Sequence, residues 1–140
     1  MITKTGLHAV RAMVALAKLP QNSYAGAASI AQEIKAPQNY LAKLLQTLSR
    51  EGLVQSQKGL GGGFRLARLP KEISLFDIVD PFEQVGRWSG CILGHPNCSD
   101  EVPCAIHDRW KHVRGAYLRL LTRTTVADLV AKGEFAQTVV

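Results

Sequence analysis

Three cysteines and one histidine stand close together in the second half of the chain: Cys91, Cys98, Cys104 and His107, spaced C-x6-C-x5-C-x2-H. Soft thiolates with an imidazole suit Zn²⁺, or an iron–sulfur cluster with mixed ligation. Gaps this wide argue mildly against a zinc finger, whose ligands usually come as C-x2–4-C pairs. A cluster is bulkier than one ion, and a long Gly/Pro segment could wrap it; spacing alone leaves both open. Cysteines also serve as small buried hydrophobes, or pair in a redox switch. Burial is the weaker reading for three cysteines within 14 residues of a segment that has little core to join. His95 shares the segment but adjoins Pro96 and reads as a turn residue; His112 falls on the following helix and is expected at the surface. His8, in the first helix, reads as a structural residue, or as one that a partner subunit brings to the metal.

A second set of residues points to a different chemistry. Leu41, Leu44, Leu45 and Leu48 take the i, i+3, i+4, i+7 positions of a helix that faces a core. The opposite face carries Asn39, Lys43, Gln46 and Arg50, each able to meet a phosphate or a base edge, and none acidic. An ordinary solvated face usually mixes both signs; this one does not. The spacing therefore predicts a recognition helix over about 37–51, ending near Gly52.

The elements that must position these residues follow from the pattern on either side. Leu7, Val10, Val14 and Ala17 make one apolar helical stripe. After the break at Leu19–Ser23, Ser29 reads as the N-cap of a short helix with Glu33 in its first turns. Lys35-Ala36-Pro37 joins it to the leucine helix, with Pro37 in that helix's first turn, which makes a helix-turn-helix. Residues 53–57 and 64–68 alternate like strands around Lys58-Gly59-Leu60-Gly61-Gly62-Gly63. Such a turn could cradle a nucleotide phosphate, but that needs a strand–loop–helix order and a Gly-Lys-Ser/Thr, both missing here. A hairpin wing with Lys58, Arg65 and Arg68 at its base fits better. Ser74 to Asp77 resembles a capping box opening a short helix that ends before Pro81. Residues 86–103 form a long loop, and 103–123 a helix. On it Ile106, Trp110, Val113, Tyr117 and Leu120 step by four and three, a heptad seam read as a subunit contact, with packing on the first helix as the other reading. Thr125 caps a last short helix.

Composition agrees with this division. Residues 1–72 carry ten Lys/Arg against three Asp/Glu, +7, and residues 73–140 carry seven against eight, −1, within the formal +6 of the 140-residue chain. A basic half beside a neutral half predicts a polyanion partner for the first. No stretch approaches the roughly 20 apolar residues of a membrane span. Met1–Gly6 lacks a signal-peptide pattern, and an odd number of cysteines excludes a fully paired disulfide framework, so the expected location is cytoplasmic. No Ser/His/Asp set, paired acids or cofactor fingerprint marks an enzyme.

With these residues in place, the sequence resembles the Rrf2-type bacterial transcription regulators over about residues 1–132. The resemblance rests on Asn39-Tyr40-Leu41-Ala42-Lys43-Leu44-Leu45 leading to Gly52-Leu53-Val54, and on Lys58-Gly59-Leu60-Gly61-Gly62-Gly63-Phe64-Arg65-Leu66-Ala67. The three-cysteine loop and Thr125-Val126-Ala127-Asp128-Leu129 add to it. It implies a homodimeric winged helix-turn-helix protein, mainly α with a small β-hairpin, whose long C-terminal helices cross and whose subunits each bind half of a near-palindromic operator. The DNA-binding unit would span 1–72, with a cluster loop at about 86–107 and a dimerisation helix at about 103–123 in the remainder. Double-stranded DNA would meet Gln38, Asn39, Tyr40, Lys43, Gln46, Arg50, Lys58 and Arg65, with Asn39 and Gln46 reading bases and Arg65 entering the minor groove.

In three-cysteine members such a loop holds a [2Fe–2S] or [4Fe–4S] cluster whose state changes DNA affinity. The implied ligands are Cys91, Cys98, Cys104 and His107, with [2Fe–2S] first and zinc as the alternative metal. His107 matches the fourth-ligand position of the iron–sulfur biogenesis regulators. His8 stands about where nitric-oxide-sensing repressors carry an acidic ligand from the other subunit, and it is the alternative fourth ligand. An iron-responsive branch is a third fit. Ala42 stands where some biogenesis regulators have a carboxylate, a departure that bears on operator choice. The reading from another class is a zinc-stabilised DNA-binding or protein-interaction domain without a sensing role.

Overall fold

The computed structural model describes residues 2–87, 93, 100, 101 and 103–132. Its first helix, α1 (Lys4–Ala17), is opened by Thr3, whose Oγ1 accepts from the Gly6 N–H at 3.2 Å. This helix is buried more widely than a single stripe. Val10 and Val14 are inside as their spacing predicts, but so are Ala9, Ala12, Met13, Ala15 and Leu16, while Leu7 is 36% exposed. The small alanines carry little hydrophobic signal. They instead let neighbouring helices approach closely, so α1 becomes the centre of the fold.

Helix α2 (Ala27–Ile34) begins at Gly26, and Ser29, expected as its cap, lies exposed in the first turn. The start moves forward because Ala25 is tied to Phe64 by a two-bond bridge, Ala25 N–H to Phe64 O at 2.9 Å and Phe64 N–H to Ala25 O at 2.8 Å. That bridge fixes extended backbone just ahead of Gly26, and Glu33 accordingly falls outside the first turn. Lys35 turns the chain at φ 58°, and α3 (Gln38–Arg50) follows with Pro37 as N-cap rather than as a residue of the first turn. Leu41, Leu44, Leu45 and Leu48 are all buried, as the spacing predicts.

Strands β1 (Val54–Gln57) and β2 (Gly63–Leu66) pair antiparallel, with Val54 opposite Leu66 and Gln57 opposite Gly63. Gly63 has φ +137°, and a Cβ there would sit 2.4 Å from Ala25 O, so only glycine permits the Ala25–Phe64 bridge.

Ser74 and Asp77 form the reciprocal capping box of α4 (Leu75–Glu83). The helix was expected to stop before Pro81 and instead runs through it. Proline removes one hydrogen bond, but Ile78 and Val79 are fully buried and Phe82 packs on the core, so tertiary packing carries the last turn. Helix α5 (His107–Arg123) starts four residues later than expected, which leaves Pro103 and Cys104 ahead of the turn at Ala105–Ile106 that leads into it. Thr125 and Asp128 cap α6 (Val126–Lys132) reciprocally. Ser74 and Thr125 bridge, which fastens the start of α4 to the α5–α6 junction.

The expected heptad seam of α5 is only half covered within the chain. Trp110 and Tyr117 are partly buried, Val113 and Leu120 are 57% and 56% exposed, and the buried residue is Leu121, just outside the seam.

Two stability predictions follow from the core. Leu45, with no exposed surface, anchors α3; Leu45→Ala is expected to lower unfolding free energy by about 2–5 kcal/mol, read by urea titration. His8 is 4% exposed and meets the Tyr40 ring edge-on at 5.4 Å. Burial first, then the charges of Lys4 and Arg11, pull its pKa below 6.5. The unfolded chain therefore takes up a proton that the fold resists. Stability is fully present above 6.5 and falls with pH until the folded pKa is passed. His8→Leu should flatten that dependence in urea titrations between about pH 7.5 and about pH 5.

Candidate nucleic-acid interface

Burial of the leucine face leaves Gln38, Asn39, Lys43, Gln46 and Arg50 exposed along the outer side of α3. Arg50 among these is positioned by Thr47, which the sequence did not single out. Thr47 Oγ1 donates to Lys43 O at 3.1 Å and accepts from Arg50 Nη2 at 3.2 Å, which lays the guanidinium along the helix. The available signal was its position, four residues after Lys43 and three before Arg50. Tyr40, expected among the DNA contacts, is turned partly inward. Its hydroxyl donates to Thr5 Oγ1 at 3.0 Å and its ring meets His8, so it ties the start of α3 to α1.

Across from α3 stands the hairpin. An open groove of about 390 Å³ runs between them, lined by Gln46, Ser49 and Arg50 on one side and Ser56, Gln57, Lys58, Gly63 and Phe64 on the other. Among the described residues no carboxylate lines it, and Lys58 is exposed. Arg65 lies back from the turn. Its Nε donates to Gln55 Oε1 at 3.0 Å and its guanidinium sits 4.7 Å above the Tyr24 ring, contacts that neither Tyr24 nor Gln55 signalled in the sequence. An α-helix with its side chains is about as wide as the major groove of B-DNA, and a convex helix beside a cationic ridge can meet base edges and phosphates together.

Of the candidate metal ligands, Cys91 and Cys98 lie outside the described residues, as does His95. Cys104 is partly buried, and its carbonyl accepts from the His107 N–H at 3.1 Å, which sets the two side chains one turn apart. His107 Nε2 lies 2.9 Å from Asp100 Oδ1, and Lys111 Nζ reaches both Asp100 oxygens at 2.9 Å. The hydrogen bonds from His107 and Lys111, then the Lys111 charge, hold the exposed Asp100 carboxyl below the usual carboxylate range. Neither Asp100 nor Lys111 was singled out by the sequence. Among the described residues no three metal-ligating side chains converge. Thiolate and imidazole at the start of α5 have the donor chemistry of a zinc or iron site, and the pair fits either. His8, the alternative ligand, is inside the core against Tyr40.

Comparison with known proteins fits this architecture. The Rrf2 family, described as an iron-dependent transcriptional regulator, matches residues 2–132. A helix-turn-helix-type transcriptional regulator of Aquifex aeolicus (strain VF5) is 34% identical over 123 residues, 85% of each chain. CymR (YrzC), the global cysteine regulator of B. subtilis, superposes with a TM-score of 0.80 at 28% identity, covering 96% of this chain and 98% of that one. T. potens IscR does so with a TM-score of 0.74 at 26% identity, covering 96% and 88%. No helix among the described residues is long and apolar enough to cross a membrane.

Charge removal on α3 tests the interface. With a duplex recovered from a random-sequence pool, Lys43→Ala and Arg50→Ala are each expected to weaken binding and to reduce the slope of log K against log salt by about 1. An unchanged slope for both would place the contact face elsewhere.

Proposed function

The chain belongs to the Rrf2 family of transcriptional regulators, and on that premise we propose that it is a homodimeric DNA-binding regulator whose operator affinity is set by an iron–sulfur cluster. The carrying observation is the face of α3. Four polar or cationic residues without a carboxylate stand outward beside a basic hairpin, while every leucine of the helix is buried. Asn39 and Gln46 read base edges, and Lys43, Arg50 and Lys58 neutralise phosphates.

Cys91, Cys98, Cys104 and His107 would hold the cluster, which when bound supplies an iron centre open to oxidation, nitric oxide or loss of metal. The family's described iron dependence and the donor set support iron over zinc. Asp100, placed 2.9 Å from His107 Nε2, orients the imidazole, as a carboxylate commonly does for a ligating histidine. The cysteine-bearing segment directly precedes α5 in the chain, so a cluster held there would act on the start of that helix. The exposed Val113 and Leu120 support a subunit contact on that helix. In the dimer, movement of α5 would alter the spacing of the two α3 helices; a coupling of about 1–3 kcal/mol corresponds to roughly 5–150-fold in affinity.

Zinc is the second reading, favoured only by the tetrahedral donor count of three thiols and one imidazole. Anaerobic purification separates the two. The expected protein is brown, with iron and acid-labile sulfide, and Cys104→Ala loses both the colour and the response of duplex binding to cluster removal. A colourless protein with stoichiometric zinc, or a Cys104→Ala variant that keeps cluster and response, overturns the proposal.

A further inference from the structure

The turn between β1 and β2 carries one large side chain with no structural task. Leu60 is the most exposed large apolar residue among those described, and it packs on none of them. Its neighbours Gly59 and Gly61 supply the left-handed backbone of the turn, at φ +93° and +77°, and a Cβ built on either meets no atom within 4 Å. Gly62 closes the turn through its N–H to Gly59 O at 3.0 Å. The tip is therefore as narrow as a single side chain, with bare backbone to either side. The turn rises from the wall of the α3–hairpin groove, since Lys58 before it and Gly63 after it both line that groove. Arg65 is drawn back onto Tyr24 and Gln55, which leaves Lys58 and Leu60 as the side chains at the wing's leading end.

We propose that Leu60 is an apolar wedge that the wing sets into the minor groove of the duplex, next to the major groove that α3 occupies. This inference rests on the DNA-binding reading above and adds a specificity-determining residue to it. The minor groove is about 6 Å wide, which admits a tip flanked by glycines and rejects a bulkier one. Lys58, at the base of the turn, faces the phosphate walls. An aliphatic side chain pressed between base steps partly unstacks them and bends the duplex toward the major groove, and flexible pyrimidine–purine steps yield at least cost. Sequence preference would then extend to positions where no hydrogen bond reads a base.

The test uses the full chain and a duplex recovered by the wild type from a random-sequence pool, with dyes at both ends to report bending. Leu60→Ala is expected to bind about tenfold more weakly at every salt concentration, with an unchanged salt slope and a smaller bend. Leu60→Met should retain most of the affinity and the bend, whereas Lys58→Ala should lower the salt slope. Leu60 packs on none of the described residues, so thermal melts should coincide for all of these variants. A Leu60→Ala protein that binds and bends the duplex as the wild type does overturns the wedge and assigns the exposed leucine to a protein or lipid partner. A wild type that recovers no duplex overturns the DNA-binding reading itself, and the wedge with it.

Discussion

The seating of four leucines under α3 governs most of what this protein presents to its surroundings. Leu41, Leu45 and Leu48 have no exposed surface and Leu44 has 5%. Each such side chain contributes about 1.5–3 kcal/mol by leaving water. A turn of the helix about its axis would expose them and is strongly resisted. With rotation blocked, Asn39, Lys43, Gln46 and Arg50 have one outward direction available to them. The leucines are set against α2, β1 and α1, whose alanines allow close approach, and Tyr40 adds a polar tie to α1 through Thr5. A recognition face is thus fixed by apolar packing on the opposite side of the same helix.

A second restraint sets the wing against that face. The hairpin alone is two four-residue strands, a size marginal in water. It is held because Phe64 pairs with Ala25, immediately before α2, and because Gly63 has no side chain to obstruct the pairing. The angle between α3 and the hairpin therefore depends on these backbone hydrogen bonds and on packing of Val54, Phe64 and Leu66 into the core, not on the charged residues that line the groove. Those cations are free to sit at the surface, where their desolvation cost is small.

The remaining helices connect this front, through successive packed elements, to α5, which follows the cysteine-bearing segment in sequence. Helix α5 packs on α4, α4 on α1, and α1 lies beneath α3. The Ser74–Thr125 bridge fastens the start of α4 to the end of α5. Glu83 at the far end of α4 accepts from the Thr3 N–H at the start of α1. Displacements of α5 are thereby opposed by contacts at both ends of α4.

Local chemistry made much of this legible in the sequence. The leucine period, the alternation around a glycine-rich turn, and the capping pairs Ser74/Asp77 and Thr125/Asp128 each depend on residues within a few positions of one another, so their elements follow directly from the chain. The start of α2, the passage of α4 through Pro81 and the wide burial of α1 depend on partners distant in sequence. A bridge from Ala25 to Phe64 has no local signature, and neither does an aromatic ring waiting at Tyr24 for Arg65. Residue order alone set the leucine period that turns one face of α3 inward, and it placed His107 three residues after Cys104. Only the three-dimensional packing decided that Tyr40 turns inward, that His107 meets Asp100, and that Arg65 is drawn back onto Tyr24 and Gln55. Those outcomes depend on which distant groups come within contact distance, and that proximity is created by the fold.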